Sequence, residues 1–491
     1  MTDEQRGVAF PASPDGGRST SEVGRAVVAD ALREVDPVGA GHAAGETNWR
    51  TGYLVHFRRL VEAGMQSRDA ALSVAVNGAD ALHSRMVVAT ADGEEPLASW
   101  AEGDGTTEQG GPLGTVEVAG TAEPERELSL PLHGERLRGD AVRAQLDRWV
   151  ESGVAEPSAA EAVQQVLDHP EWLRLDGRTV AVLGAGAEMG PLQALLRWGA
   201  RVAAVDLARP QVWERVVSTA RESAGTLLVP LRKGGTDPVQ DAGADLVQEV
   251  PTIGTWLEGL DGSLVLGNYV YADGADNVRV SVAVDALTGR LLDRLPDLSL
   301  AFLATPTDVF VVPKEAVDHA TRCYDSRGPR SKLLGRPLRT LSGGRLLHRA
   351  YVRGSDPGVN DSLVPQQGPN YALAKRLQRW RATTARAAGT TVSMNVAPPT
   401  RTRSVVKNRA LAAAYAGAHR FGVEVFEPAT ANVLMAALLV HDLHTGGGPQ
   451  HDHPWQDEAH AAVHGGLWRT AYAPRSALGL AALLGYGAAR G

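Results

Sequence analysis

Residues 179–206 read TVAVLGAGAEMGPLQALLRWGARVAAVD. The run Val180, Ala181, Val182, Leu183 is apolar without alternation, as a strand buried on both faces of a parallel sheet requires. Gly184, Gly186 and Gly190 follow at G-x-G-x-x-x-G spacing, with Glu188 and Met189 inside the turn. Gly184 suits a tight turn. Gly186 leaves backbone amides open to close approach, and Gly190 lets a helix pack near the strand. The pattern predicts a helix over 189–198, stopped by Gly199, and a second strand over 201–205 that ends at Asp206.

Strand, glycine turn, helix, strand and acid in that order are the signature of a dinucleotide-binding βαβ unit. The helix N-terminus would face a pyrophosphate. Asp206, about 20 residues past the first glycine, would accept a hydrogen bond from a ribose 2′-hydroxyl. A carboxylate there repels a 2′-phosphate, which favours NAD over NADP. Arg209 works the other way, so NADP stays open. S-adenosylmethionine-dependent methyltransferases share this layout, but they usually carry an acid near the end of the first strand, where this chain reads AVLG. A Rossmann-type nucleotide-binding protein without catalytic activity is the other alternative.

The rest of the chain sets this unit in an α/β frame. Strands are expected over 226–230, 263–267, 298–304 and 391–396, alternating with helices over 277–295, 371–388 and 429–440. That alternation predicts a doubly wound parallel Rossmann-type sheet. Residues 308–369 interrupt it as a Gly-, Pro- and Arg-rich insertion. Ahead of it, 46–172 reads as an α-rich (α+β) N-terminal domain with helices near 69–86, 141–152 and 158–168 and no chemical motif. Shaping a pocket, binding a partner and packing a homo-oligomer all remain open to it. Residues 1–45 are rich in Gly, Ser, Asp and Pro and read as a disordered tail holding one helix near 21–33. A polar loop is expected over 101–111.

Composition narrows the class. A chain of 491 residues is too long for one ordinary core. Its net charge of -8 argues against a dedicated nucleic-acid or membrane-surface protein, which leaves a small-molecule substrate. The single cysteine, Cys323, excludes an internal disulfide and favours a reducing, cytoplasmic setting. The N-terminus lacks the basic-then-apolar order of a signal peptide, and the apolar stretch 431–440 is too short to span a bilayer.

Tyr371-Ala-Leu-Ala-Lys375 opens a predicted helix. At i and i+4 the two side chains share a face. An ammonium beside a phenol favours the phenolate, which would tune Tyr371 to exchange a proton with a carbonyl or alcohol oxygen. Further on, residues 392–402 read VSMNVAPPTRT. The glycine turn, the Tyr371/Lys375 pair and this run together resemble the short-chain dehydrogenase/reductase family, in patches over 177–440. The resemblance implies an NAD(P)-dependent oxidoreductase passing hydride to or from a carbonyl or alcohol carbon. It implies Tyr371 as the acid/base, Lys375 as the group that binds the nicotinamide ribose and lowers the tyrosine pKa, and Thr305 or Thr307 as the hydroxyl that polarises the substrate. Asn268 stands in Gly267-Asn268-Tyr269 where the family has N-N-A-G. Glu188 replaces the middle glycine of the turn, and Pro399 stands where the family has glycine.

His441, His444, His451, His453, His460 and His464 crowd the C-terminal segment 441–491. His460 and His464 are spaced to share a metal on one helix face, with Asp442, Asp452 and Glu458 as oxygen donors. The segment reads first as a packing element and second as an active-site cap, in which Trp455, Trp468, Arg469 and Tyr472 would line a pocket. No metal is assigned. Arg401, Arg403, Lys407 and Arg409 form a basic run after the last expected strand, and Asp273 with Asp276 reads as a helix-capping turn.

Overall fold

The computed structural model describes residues 6–103, 111–328 and 337–487. Its centre is a seven-stranded sheet built from β1 (Gly114–Ala119), β2 (Arg178–Leu183), β3 (Arg201–Val205), β4 (Thr226–Leu231), β5 (Ser263–Asn268), β6 (Ser299–Ala304) and β7 (Val392–Val396). Across the sheet the order is β7-β6-β5-β2-β3-β4-β1. All neighbours pair in parallel except β1, which lies antiparallel on the β4 edge. From β2 the chain steps outward through β3 and β4, then returns to the other side of β2 as β5. The order therefore reverses between β2 and β5, the place where open α/β sheets form a crevice beyond their carboxyl ends.

The apolar strand runs are explained by two cores, one on each face. Ala181 and Leu183, Ala203 and Val205, and Leu264 and Leu266 point to one side. Val180 and Val182, Val202 and Ala204, and Val265 point to the other. Side chains alternate across a strand, so a sheet covered on both faces needs apolar residues at every position.

The covering helices come from unexpected parts of the chain. The helices Trp49–Gly64 and Arg68–Arg85 share the first core with Ala275–Arg294 and Gly368–Ala387. The helices Asp140–Ser152 and Pro157–Asp168 share the second with Pro428–His444. The stretch 46–172 is α-rich as expected, but it is divided between the two faces and supplies β1 as well. From Arg6 onward, the expected tail is folded too. Gly7–Ala9 pairs with Val87–Ala89. The Ser19 side chain accepts from the Glu22 amide to start the helix Thr20–Leu32, which buries Val23, Val27 and Val28. Two apolar side chains per turn suffice to dock a helix, and the surrounding polar residues hid them in composition.

Within the insertion, Val309–Val312 pairs antiparallel with Gly358–Asp361 around the helix Lys314–Asp325. The expected loop 101–111 falls mostly on 104–110, outside the described residues. Among the described residues no helix is long and apolar enough to cross a membrane.

Candidate functional site

A cleft of about 1930 Å³ opens at the carboxyl ends of β2, β3, β5 and β6. Gly184, Gly186, Glu188, Met189, Asp206, Asn268, Thr305, Tyr371 and Lys375 all line it. The glycine turn and the tyrosine–lysine pair thus face one space, although nearly 200 positions separate them in sequence. Gly190 and Thr307 do not line the cleft.

The turn differs from expectation in three ways. First, its helix begins at Leu192, with Pro191 as N-cap, and runs only to Trp198. Proline favours a helix's first positions over its interior, so residues 187–190 form tight turns instead. Second, its amides are engaged within the chain. Gly184 and Ala185 donate to the Val205 carbonyl at 2.9 and 3.1 Å, Ala187 to Gly184, and Gly190 to Ala187. Third, the Asp206 carboxylate accepts from the Gly186 amide and from the Leu207 amide, both at 2.8 Å. The acid clamps the turn as well as facing the cleft.

Two of the three glycines are sterically required. Gly184 has φ +83°, and a Cβ there would sit 3.1 Å from the Tyr269 carbonyl oxygen. At Gly186 a Cβ would come within 2.8 Å of Val212 Cγ1, whereas at Gly190 the nearest atom is 3.5 Å away, an ordinary contact. Gly190→Ala should therefore leave stability within about 0.5 kcal/mol, while Gly184→Ala should cost about 1–3 kcal/mol. Urea denaturation of the two variants measures the contrast, and equal losses would contradict it.

Glu188 does not face the cleft unpaired. Its carboxylate meets Arg403 Nε at 3.1 Å and accepts from the Arg403 amide at 2.7 Å. Its carbonyl accepts from Asn432 Nδ2 at 2.6 Å. The residue that replaces the middle glycine thus ties the turn to the segment after β7. One member of the basic run is neutralised in the process.

On the opposite wall, the helix Gly368–Ala387 presents Tyr371 and Lys375, both half-buried. Burial raises the Tyr371 phenol above its ordinary value; the Thr305 hydroxyl pulls it back and the Asp308 carboxylate pushes it further up. The lysine plays no part in this shift, contrary to the expected lowering. Its ammonium is turned to Gln378 Oε1 at 3.0 Å, and Gln378 Nε2 in turn donates to Asn268 Oδ1 at 3.3 Å. Burial lowers Lys375 to about 8. Gln378, three residues past Lys375, was visible in the sequence only as a helix neighbour.

Of the two candidate threonines, Thr305 is the one exposed to the cleft. Thr307 is 6 % exposed and stands behind it, hydroxyl to hydroxyl at 2.9 Å. Two further tyrosines escaped the sequence reading. Tyr271 lies edge-on to Tyr371 with ring centres 6.3 Å apart, and Tyr415 lines the cleft from the helix Arg409–Gly417. Asp273 accepts from the Tyr271 hydroxyl at 2.8 Å and Asp276 pairs with Arg279 at 2.7 Å. Neither caps the helix that begins at Ala275.

The expected metal pair does not share a helix face, since His460 lies just past the helix Pro454–Ala459, with its ring 5.6 Å from that of His451. His451 pairs with Asp457, His441 with Asp442, and His464 with Glu156. His444 stacks on Trp172, and His453 caps the helix Pro454–Ala459. Among the described residues no group of three or more His, Cys, Asp and Glu side chains gathers as a metal site. Of the expected cap residues, Trp468 is buried against Phe310 and His464, and Arg469 is held by Glu156 at 2.5 and 2.8 Å. Neither they nor Trp455 and Tyr472 reach the cleft.

No family model matches the chain, and no curated protein matches its sequence. Among solved structures, it is similar to A-type ketoreductases from a modular polyketide synthase at 15 % identity and a TM-score of 0.31, over 55 % of this chain and 47 % of that one. An A1-type ketoreductase matches at 14 % identity and a TM-score of 0.31, with the same shares covered. A thiolation-reductase di-domain from an archaeal non-ribosomal peptide synthetase matches at 12 % identity and a TM-score of 0.27, over 53 % of this chain and 52 % of that one. The chain thus spans about half the length of each. Likeness at this level says nothing of what the chain binds or does.

Proposed function

We propose that this chain is an NAD(P)-dependent oxidoreductase acting on a carbonyl or alcohol carbon of a small molecule. One observation carries the reading: Tyr371, Lys375 and Thr305 share a cleft with the glycine turn and Asp206, at the strand-order reversal of the sheet. A site built for a dinucleotide needs bare backbone at the turn after β2, an acid at the end of β3 and a polar group at the end of β5. Gly186, Asp206 and Asn268 fit that description. Gly184 to Met189 would hold the phosphates, Asp206 the adenosine ribose, and Lys375 the second ribose. The bound dinucleotide would supply or accept the hydride. Thr305 would hydrogen-bond the reacting oxygen while Tyr371 gives or takes its proton, so both hydroxyls act on one atom.

A second reading has its own support. Four amide donors of the turn bond within the chain, and both Asp206 oxygens accept from the backbone, which suits a Rossmann-type protein that does not turn over a cofactor. Fluorescence titration with NADH and with NADPH, followed by a carbonyl panel, separates the two. The oxidoreductase should bind one nucleotide at micromolar or tighter concentration and consume it with a carbonyl present. Binding without consumption would favour the second reading, and no binding of either nucleotide would sink the first.

A further inference from the structure

A small pocket of about 70 Å³ borders the cleft, and Pro399 and Tyr415 stand in the walls of both. Val423, Val425, Leu467, Ala477, Leu478 and Ala481 are among the apolar residues that line it. The polar side chains that border it are occupied elsewhere. Thr470 donates to the Phe421 carbonyl at 2.6 Å, Ser362 bonds to Asn360, and Arg475 pairs with Asp361. The Tyr472 hydroxyl accepts from Arg327 at 2.9 Å, and Thr307 is held by Thr305. Apart from the Tyr415 hydroxyl, at the wall shared with the cleft, these side chains leave water little to bond to, and a mostly apolar cavity of this kind takes an apolar guest.

We propose that this pocket takes an unbranched aliphatic arm of the substrate, on the far side of Tyr415 from the reacting oxygen. The proposal rests on the oxidoreductase reading for the position of that oxygen, between Tyr371 and Thr305. The Thr305–Thr307 pair sets the direction: Thr305 faces the cleft and Thr307 faces the pocket. Size sets the length. A water-sized group needs about 10–15 Å³, so the pocket holds a chain of about five to seven such groups.

The probes are straight-chain methyl ketones from 2-butanone to 2-decanone. Their binding to the full chain is followed by saturation-transfer NMR without nucleotide, and their turnover is followed with NADH and NADPH. Affinity should rise about fourfold per methylene until the chain is about five to seven carbons long, then level off. Ala477→Leu narrows the pocket and should weaken 2-heptanone by about tenfold while sparing 2-butanone. Leu478→Ala enlarges it and should move the plateau to longer chains, which keeps the question open to test should the first variant not fold. Affinity independent of chain length, or a plateau unmoved in both variants, would overturn the proposal. Length-dependent binding without any nucleotide consumption would retain the pocket and defeat the oxidoreductase reading. Turnover with no length dependence would do the reverse.

Discussion

Replacing Tyr371 with phenylalanine should lower turnover by about 10²–10⁴-fold, the usual worth of a positioned proton donor, while nucleotide affinity stays within a factor of two. The substitution removes one oxygen and leaves the ring, so the edge-on contact with Tyr271 and the packing of the helix Gly368–Ala387 persist. The phenol suits the task because Thr305 opposes part of the rise that burial imposes on it. Tyr415→Phe is the control, since it takes a second hydroxyl from the same cleft. The measurement is steady-state kinetics with whichever nucleotide and carbonyl the panel identifies. A full rate in Tyr371→Phe, or a loss confined to Tyr415→Phe, would move the proton to another residue.

The parts of this site that sequence made legible are those whose physics is local. A strand buried on both faces must be apolar throughout, so β2 and β3 stood out, and a turn at φ +83° must be glycine, so Gly184 did too. Tyr371 and Lys375 sit one helical turn apart and were bound to share a face. What stayed hidden depends on partners distant in the chain. Glu188 stands where the family has glycine, and which arginine pairs with it could not be read, because Arg403 lies 215 positions further on. Thr305 and Thr307 could not be told apart, because only the folded chain shows that Thr305 lines the cleft while Thr307 is buried behind it. Lys375 was expected to act on the phenol, but Gln378 holds it. The helix starts later than the glycine spacing alone suggests, because Pro191 takes the N-cap position. The expected tail was a matter of averaging: a few valines on one helix face carry little weight in composition, yet they are enough to join a core.

Asp308→Asn should destabilise the fold by about 3–5 kcal/mol, the cost of breaking a buried ion pair from one side. Asp308 is 1 % exposed. One carboxylate oxygen accepts from Arg376 at 2.7 Å and the other from Arg379 at 2.7 Å. Arg379 also grips Glu458 at 2.6 and 2.7 Å and lies 4.2 Å over the Phe310 ring. Removing the charge leaves Arg376 buried without its partner acid, although burial and the neighbouring Arg379 guanidinium already outweigh Asp308 and Glu458 and lower Arg376 to about 10. The same pair predicts a pH dependence. Burial works to raise the Asp308 carboxyl, but the two arginines overcome it and hold the group below its ordinary value. Its contribution is therefore complete above the unfolded carboxyl pKa, about 3.9, and is lost as pH falls through the lower folded value. Urea denaturation at pH 7 should show the full gap between wild type and variant, and the gap should close in strong acid. The insertion is the region at stake, because this cluster joins the start of its first strand to the helix that carries Tyr371. A loss under about 1 kcal/mol, the range of an exposed pair, would mean that water reaches Asp308. The insertion would then be held to the sheet by its apolar contacts instead.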